Sequence, residues 1–361
     1  MKLSGKAVKI CFIAPKAYPL FNPEVKEVLG GAEVDLYFLA TELAKDGNFA
    51  VSFITADYGQ QPIETIERVR IIKSLDFKKN ALVGAVRVWQ ALRKANADMY
   101  MIKTISAGMF LVALFCRLYK KVFLYRTAHA THCDGTYLRQ HPLLGTLYKL
   151  ALKTAKLVFV QNLIDKKNLE RTTRVTSTAI PNGHRLVQSG ANERNTILWV
   201  GRSAKFKRPE LFIELAEKFP DEKFTFVCQR ATEQLVAQAK QVKNLEFIER
   251  VPFDKIDSYF QHAKVFVNTS DAEGFPNTFI QASSSGTPIL SLNVNPDGFL
   301  DKYNCGICCN NDFRCFADSL GFILAENKYI ELGKKARRYV EQNHDIKKTA
   351  EKYKKLFRNL L

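Results

Sequence analysis

Two doubly wound α/β domains are what the sequence predicts, and three observations predict them. Short apolar runs alternate with segments of helical period almost from end to end. A polar stretch without periodicity interrupts that alternation, which then begins again. The chain has 361 residues, more than one hydrophobic core usually serves.

The elements follow in order. Val8–Ala14, Ala50–Thr55, Val69–Ile72, Met99–Ile102, Lys121–Tyr125 and Leu157–Val160 are apolar runs of strand length. Glu33–Lys45, Ala85–Lys94, Ala107–Leu118 and Leu143–Lys153 have helical period between them. Strand and helix repeated in this way make a parallel sheet covered on both faces. Pro181-Asn182-Gly183 closes the series, and the polar residues from Gln188 to Asn195 form the linker. The second series places strands at Ile197–Val200, Phe224–Cys228, Leu245–Ile248, Val265–Asn268 and Pro288–Leu290. Helices are expected near Pro209–Lys218, Glu233–Val242, Lys255–His262 and Asn277–Ser284. From Asp345 onward Ile346, Ala350, Tyr353 and Phe357 share one stripe, an amphipathic closing helix. The expected domains are 1–187 and 188–344, with 345–361 crossing back to the first. Sheets of this kind bind ligands beyond the carboxyl ends of their strands, so a cleft between two such domains is the expected site.

Composition narrows the class. With 47% hydrophobic residues, 18 Gly and 12 Pro, the chain is neither collagen-like nor disordered. The run from Val8 to Ala14 is broken by Lys9 and ends at Pro15-Lys16, which suits a first strand better than a secretory signal. The longest uncharged apolar stretch lies between Lys103 and Arg117, too short to span a bilayer. Eight scattered cysteines suit a reducing cytoplasm. Cys305, Cys308, Cys309 and Cys315 are close in sequence, but they fall on a short strand over Gly306 to Cys309 and a helix over Phe313 to Leu324, so no metal is expected. The net charge of +18 is uneven: residues 1–200 hold 29 basic and 15 acidic side chains, the remainder 25 and 21. That excess suits a phosphorylated partner, an anionic membrane or nucleic acid.

Three loops carry candidate chemistry. Gly30-Gly31 precede a helix whose first N–H groups suit a phosphate. Arg202 and Lys207 follow the strand that opens the second domain, where a diphosphate would need neutralising; the plain alternative is a solvated basic loop. The sharpest stretch runs from Thr269 to Gln281. It puts Glu273 before a helix opening at Asn277 and Gln281 one turn inside it, with the backbone amides from Phe275 to Thr278 at the helix mouth.

In this order, Gly30-Gly31-Ala32-Glu33, Pro181-Asn182-Gly183, Gly201-Arg202 with Lys207, and Glu273-Gly274-Phe275-Pro276-Asn277 resemble the family 4 retaining glycosyltransferases of GT-B fold, over essentially the whole chain. The resemblance implies two Rossmann-like domains facing an interdomain cleft. It implies that Arg202 and Lys207 hold the donor diphosphate and that Gly30 and Gly31 line the phosphate. The segment Gly274, Phe275, Pro276, Asn277 and Thr278 would bind phosphate and sugar hydroxyls through its amides, and Glu273 would contact the transferred sugar. Base recognition is expected near Arg250 and Val251. Gln281 stands where the family usually has a second glutamate for the ribose, and Cys228-Gln229-Arg230 replaces its Gly-x-Gly-Pro. His129, with His132 as its rival, is the histidine expected to face the donor sugar, and Asp134 either orients a ring or meets an acceptor hydroxyl.

The function implied is a retaining, metal-independent hexosyltransferase with no cofactor beyond a UDP- or GDP-linked co-substrate. Its acceptor would be a glycan or lipid-linked molecule of cell-surface polysaccharide synthesis, in the cytoplasm or at the inner face of its membrane. Met109, Phe110, Val112 and Phe115 with Arg117, Lys120, Lys121, Lys149, Lys153 and Lys156 could give the first domain a basic, apolar surface for anionic lipid. The plain alternative has these helices packing their apolar sides on the sheet. A nucleic-acid-binding protein, or an epimerase or phosphorylase on the same scaffold, are the rival classes.

Overall fold

The structure, a computed structural model, describes residues 7–27, 30–188 and 193–360. The chain divides into two units, one running up to Gly183 and resumed from Ile346, the other His184–Asp345.

In the first unit, β1 (Val8–Ile13), α1 (Tyr18–Phe21), α2 (Gly31–Leu43), β2 (Phe49–Thr55), β3 (Ile63–Ile66) and β4 (Val69–Lys73) are followed by α3 (Ala81–Ala95) and β5 (Met99–Lys103). Then come α4 (Ala107–Leu118), β6 (Val122–Arg126), α5 (Thr136–Gln140), α6 (Pro142–Thr154), β7 (Leu157–Val160), α7 (Leu163–Thr173) and β8 (Thr178–Ala179). The sheet order is β3-β4-β2-β1-β5-β6-β7-β8, parallel throughout except for β3 against β4. Strand order reverses between β1 and β5, the switch point at which doubly wound sheets take ligands.

The predicted strands stand within a residue or two at each end. Helix α3 begins four residues earlier than its periodicity suggests because Asn80 caps it, Oδ1 accepting the Val83 N–H at 2.9 Å. Helix α7 escaped the periodicity because its sequence is mostly polar. Asn162 starts it with a reciprocal cap, accepting the Asp165 N–H at 2.7 Å and donating to the Asp165 carboxylate at 3.0 Å.

One expectation is corrected here. Met109, Val112 and Phe115 are buried, and Phe110 packs against the same core, so these side chains form no surface for lipid. Their spacing is that of the side of α4 turned to the sheet, shared with Val88 and Leu92 of α3 and Tyr148 and Leu152 of α6.

The second unit contains β9 (Thr196–Arg202), α8 (Glu210–Glu217), β10 (Phe224–Gln229), α9 (Glu233–Gln241), β11 (Leu245–Ile248), α10 (Ile256–His262) and β12 (Ala263–Asn268). It continues with α11 (Asn277–Ser284), β13 (Ile289–Ser291), α12 (Phe299–Lys302), β14 (Gly306–Cys308), α13 (Phe313–Leu324) and α14 (Lys328–Asn343). All six strands are parallel in the order β11-β10-β9-β12-β13-β14, with the switch point between β9 and β12. One core packs α8, α9 and α13 on one face, and a second packs α10, α11, α12 and α14 on the other. Helix α14, unannounced by its highly charged sequence, buries Leu332, Ala336, Tyr339 and Val340. A Cβ at Gly333 would collide with the carbonyl of Gly286, so glycine is what lets α14 lie so close.

The division between units falls four residues before the expected one. His184 N–H donates to His344 O at 2.8 Å and Val187 N–H to Ser284 Oγ at 2.9 Å, which ties 184–187 to the second unit. The closing helix α15 (Ile346–Arg358) belongs to the first unit and packs on α2. There Gly183 admits it: a Cβ would stand 2.6 Å from Ile346 Cδ1 and 3.0 Å from Thr349 Cβ. Residues 189–192 of the expected linker at 188–195 lie outside the described residues. All eight cysteines are free thiols, and Cys305 and Cys309 are buried in the packed interior. Among the described residues no three His, Cys, Asp or Glu side chains gather as metal ligands, and no helix is long and apolar enough to cross a membrane.

Candidate functional site

The two loops flanking the β9/β12 switch point hold most of the residues the sequence singled out. Arg202 ends β9, and a single 3-10 turn, Lys205–Lys207, follows it. Arg208 closes that turn at φ 44°, a left-handed conformation that a non-glycine residue keeps only when its surroundings enforce it. The enforcement comes from the facing loop. Arg208 Nε donates to Thr269 O at 3.1 Å and pairs with Asp271 at 2.9 Å, while Asp271 N–H returns a bond to Phe206 O at 2.7 Å. Thr269 Oγ1 donates to Lys207 O at 2.6 Å and accepts the Trp199 indole N–H at 3.0 Å.

These stitches bring Lys207 and Glu273 together, Nζ to Oε1 at 2.5 Å, and Ser270 Oγ donates to the same carboxylate oxygen at 3.1 Å. Both charged side chains are mostly sheltered. The Lys207 ammonium carries three protons, so it can keep Glu273 and still offer a donor to a phosphate oxygen. Arg202 is exposed at the end of β9.

Glu273 is followed by buried Gly274, Phe275 and Pro276, and α11 opens at Asn277 and Thr278. Pro276 occupies the cap position and supplies no side-chain acceptor to the helix mouth. The Phe275 ring is an anchor rather than a contact group: it stacks against His344 at 4.4 Å between centroids and against Phe299 at 5.2 Å. What that loop can offer a ligand is therefore backbone. Val251 packs in the same core, and Arg250 before it is exposed.

Gln281 is buried, and its amide donates to Asp257 Oδ1 of α10 at 3.1 Å. This contact explains the departure from the family's glutamate. A carboxylate at 281 would lose the donor and face the Asp257 carboxylate. Gln281→Glu is expected to cost about 1–3 kcal/mol of stability at neutral pH, and Asp257→Asn in the same chain to restore most of it. Denaturant midpoints of the two variants check this.

In the first unit Gly30 stands in extended backbone before α2, φ −105°, so the glycine pair is not required by a left-handed turn. His129 caps a single 3-10 turn, its Nδ1 accepting the Thr131 N–H at 3.2 Å. His132 lies 6.3 Å away between ring centroids. Desolvation first, and then the proximity of His129 and Lys103, hold His132 down to about 3 against the opposing pull of Asp134, so its ring is neutral at physiological pH. Asp134 Oδ1 accepts the Thr136 N–H at 2.8 Å, which starts α5.

A buried charged centre at the ends of β5 and β6 escaped the sequence reading. Asp35 of α2 accepts from Lys103 Nζ and from Arg126 Nε, both at 2.7 Å. Arg126 also donates to Ile180 O at 3.0 Å, to Tyr353 Oη of α15 at 2.6 Å and to Asn182 Oδ1 at 2.7 Å. Burial pushes the Lys103 amine down to about 8 even with Asp35 beside it. Burial opposes ionisation of Asp35, but the two cations hold its carboxyl below the usual range. Asn182 of the Pro-Asn-Gly turn passes the network on to Gln161 at 3.1 Å. That turn thus serves to join β6, β7 and α15.

Comparison with known proteins gives these loops a family. Residues 194–326 match the family described as Glycosyl transferases group 1. The chain is 23% identical over 346 residues to a glycosyltransferase from Haemophilus influenzae, covering 90% of this chain and 95% of that one. Among solved structures it resembles sucrose-phosphate synthase from Thermosynechococcus elongatus, with a TM-score of 0.79 and 19% identity over 97% of this chain and 98% of the other. It also resembles a pneumococcal O-GlcNAc transferase in complex with UDP and GlcNAc, with a TM-score of 0.60 and 16% identity over 75% of this chain and 59% of the other. None of these matches favours a nucleic-acid-binding protein. The matched segment runs from just before β9 into the turn after α13 and so contains both stitched loops, and the fold of the chain is that of the GT-B glycosyltransferases it resembles.

Proposed function

We propose that the protein is a configuration-retaining, metal-independent hexosyltransferase of family 4 that uses a UDP- or GDP-linked sugar. The observation that carries this is the Lys207–Glu273 pair, held at the β9/β12 switch point by the Thr269 and Arg208 bonds. A fixed ammonium, with the Arg202 guanidinium at the end of β9, would supply a field for charge developing on a departing diphosphate, which is work a protein can do without a metal ion. Front-face attack by an acceptor hydroxyl on the sugar carbon, assisted by the leaving phosphate oxygen, is the mechanism such enzymes share. Arg202 and Lys207 would take the diphosphate, the backbone from Gly274 to Thr278 its oxygens and the sugar hydroxyls, and Glu273 the sugar itself. Gly30 and Gly31 would approach the phosphate from the first unit, and His129, with His132 as rival, would face the sugar. Gln281, engaged with Asp257, would stand by the ribose. Arg250 and Val251 would lie by the base. The acceptor is proposed to be a glycan or lipid-linked molecule of cell-surface polysaccharide synthesis, met in the cytoplasm or at the inner face of its membrane. The neighbour solved with UDP and GlcNAc supports UDP as the first donor base to try.

The test is a panel of UDP- and GDP-sugars, with and without chelator, read as release of nucleoside diphosphate and as donor-dependent thermal shift. Release with one donor that survives chelation supports the proposal; no release and no shift with any donor defeats it. Glu273→Gln should fold normally and lower turnover by about tenfold or more, with donor KM little changed. Unchanged turnover would remove Glu273 from the reaction.

A further inference from the structure

We propose that Cys309 and Cys315 form a site of reversible oxidation, which closes to a disulfide when the protein meets a peroxide. The proposed transfer reaction uses neither thiol, and the inference stands apart from it.

The turn between β14 and α13 places the pair. Cys309 follows β14 directly; its N–H donates to Ser291 O of β13 at 3.0 Å, and its carbonyl accepts the Asp312 N–H at 2.9 Å. The tight turn so formed carries Asn310 and Asn311 at φ 48° and 68°, angles that asparagine tolerates better than most side chains. Asp312 then caps α13, its Oδ1 accepting the Cys315 N–H at 3.0 Å. The chain thus doubles back and brings two cysteines over one side chain. Cys309 Sγ donates to Ser319 Oγ at 3.6 Å, and Cys315 Sγ lies 3.8 Å from the same oxygen. The two thiols are also hydrogen-bond partners of each other. A disulfide needs its sulfurs about 2.05 Å apart, which thiols already in contact approach by side-chain rotation rather than by movement of the main chain. Cys308, although adjacent in sequence, packs against the core on the opposite face of the sheet and is not the partner.

Exposure assigns the order of events. Cys315 is partly exposed, whereas Cys309 is buried with Phe316 and Leu320. Burial pushes the Cys309 thiol up to about 12, so Cys315 meets the oxidant and Cys309 resolves the product. Hydrogen peroxide converts the Cys315 thiol to a sulfenic acid and leaves as water. The Cys309 sulfur then attacks the sulfenic sulfur, the S–S bond forms, the S–O bond breaks, and the hydroxyl departs with the Cys309 proton as a second water. A dithiol returns the two electrons and two protons. Cys11 and Cys116 of the first unit also neighbour each other, but both are sealed in the core beyond an oxidant's reach. Closing the bridge would fasten a turn whose Asn311 N–H donates to Leu292 O at 2.7 Å, next to Asn293, which donates to Asp271 O at 2.7 Å.

Trypsin cuts after Lys302, Arg314 and Lys328, so Cys305, Cys308 and Cys309 fall in peptide 303–314 and Cys315 in peptide 315–328. The folded full chain is treated with rising hydrogen peroxide, its remaining thiols are alkylated in denaturant, and the digest is read by mass spectrometry. The expected product is the two peptides joined, lighter than their sum by the two lost hydrogens and separated again by dithiothreitol, with Cys11 and Cys116 still alkylated. The joined species should vanish in Cys309→Ala and in Cys315→Ala and persist in Cys308→Ala. Cys315→Ala changes a partly exposed position, so its result holds even if Cys309→Ala disturbs the core. Persistence in Cys309→Ala, or loss in Cys308→Ala, overturns the pairing. Cys315 recovered at every peroxide level as free thiol or as sulfinic acid, with no joined species, overturns the site itself.

Discussion

Lys207→Ala is expected to lower turnover by on the order of a hundredfold while leaving the fold intact, and Arg202→Ala to do the same from the end of β9, because on the proposed reading each removes a cation from the departing diphosphate. The two differ in what they leave behind. Loss of Lys207 strands Glu273 without its ion-pair partner, leaving only the Ser270 hydroxyl bond on Oε1. Donor binding should therefore weaken more in Lys207→Ala than in Lys207→Ala with Glu273→Gln, where the surplus negative charge is also gone. Arg202, exposed and apart from that pair, should show no such rescue. Steady-state kinetics on the donor that releases nucleotide gives the comparison. Turnover near wild type in both single variants would mean that the diphosphate is stabilised elsewhere.

The second large effect is on stability. Asp35→Asn should destabilise the protein by about 3–5 kcal/mol, because it leaves the Lys103 ammonium and the Arg126 guanidinium buried together with no negative charge between them. Two signs follow with pH. The Asp35 carboxyl is held below its unfolded value, so its stabilisation is full above about pH 4 and is lost as pH falls through the lower folded value; the Asn variant lacks that part of the acid sensitivity. Lys103 is also lowered, from 10.5 to about 8. Between those values the unfolded chain binds more protons, so this group makes stability rise with pH over that window. Denaturant midpoints across acid and alkaline pH check both signs, and Asp35→Asn within about 1 kcal/mol of wild type would show that the cations find other partners.

The contrast between the two centres marks how much the sequence could say. The alternation of apolar runs and helical segments carried the sheet strands because strands buried on both faces must be apolar throughout, whatever their neighbours. Glu273 and Lys207, which the structure pairs, could be singled out because each lies in a loop following a predicted strand, where polar residues stand out. Asp35, Lys103 and Arg126 were not, because the contacts that define them span 68 and 91 residues. A signal was nonetheless present. Lys103 and Arg126 each terminate an apolar run and sit opposite one another in the β5–β6 register, and two buried cations side by side require an acid nearby. Helices α7 and α14 were missed for the converse reason: charged faces outnumber the few buried positions that hold them. Met109, Val112 and Phe115 of α4 were assigned to a surface when they are core, since composition shows that a helix is apolar and basic but not which stripe the sheet takes.

The return of α15 to Arg126 through Tyr353 has a consequence for synthesis. His184–Asp345 is a continuous stretch and can complete itself on the ribosome, whereas the earlier-made unit lacks one wall until Ile346–Arg358 has emerged. At roughly 5–20 residues per second that wait lasts on the order of ten to thirty seconds, during which Arg126 is without the Tyr353 hydroxyl and the first sheet without the helix that packs on α2.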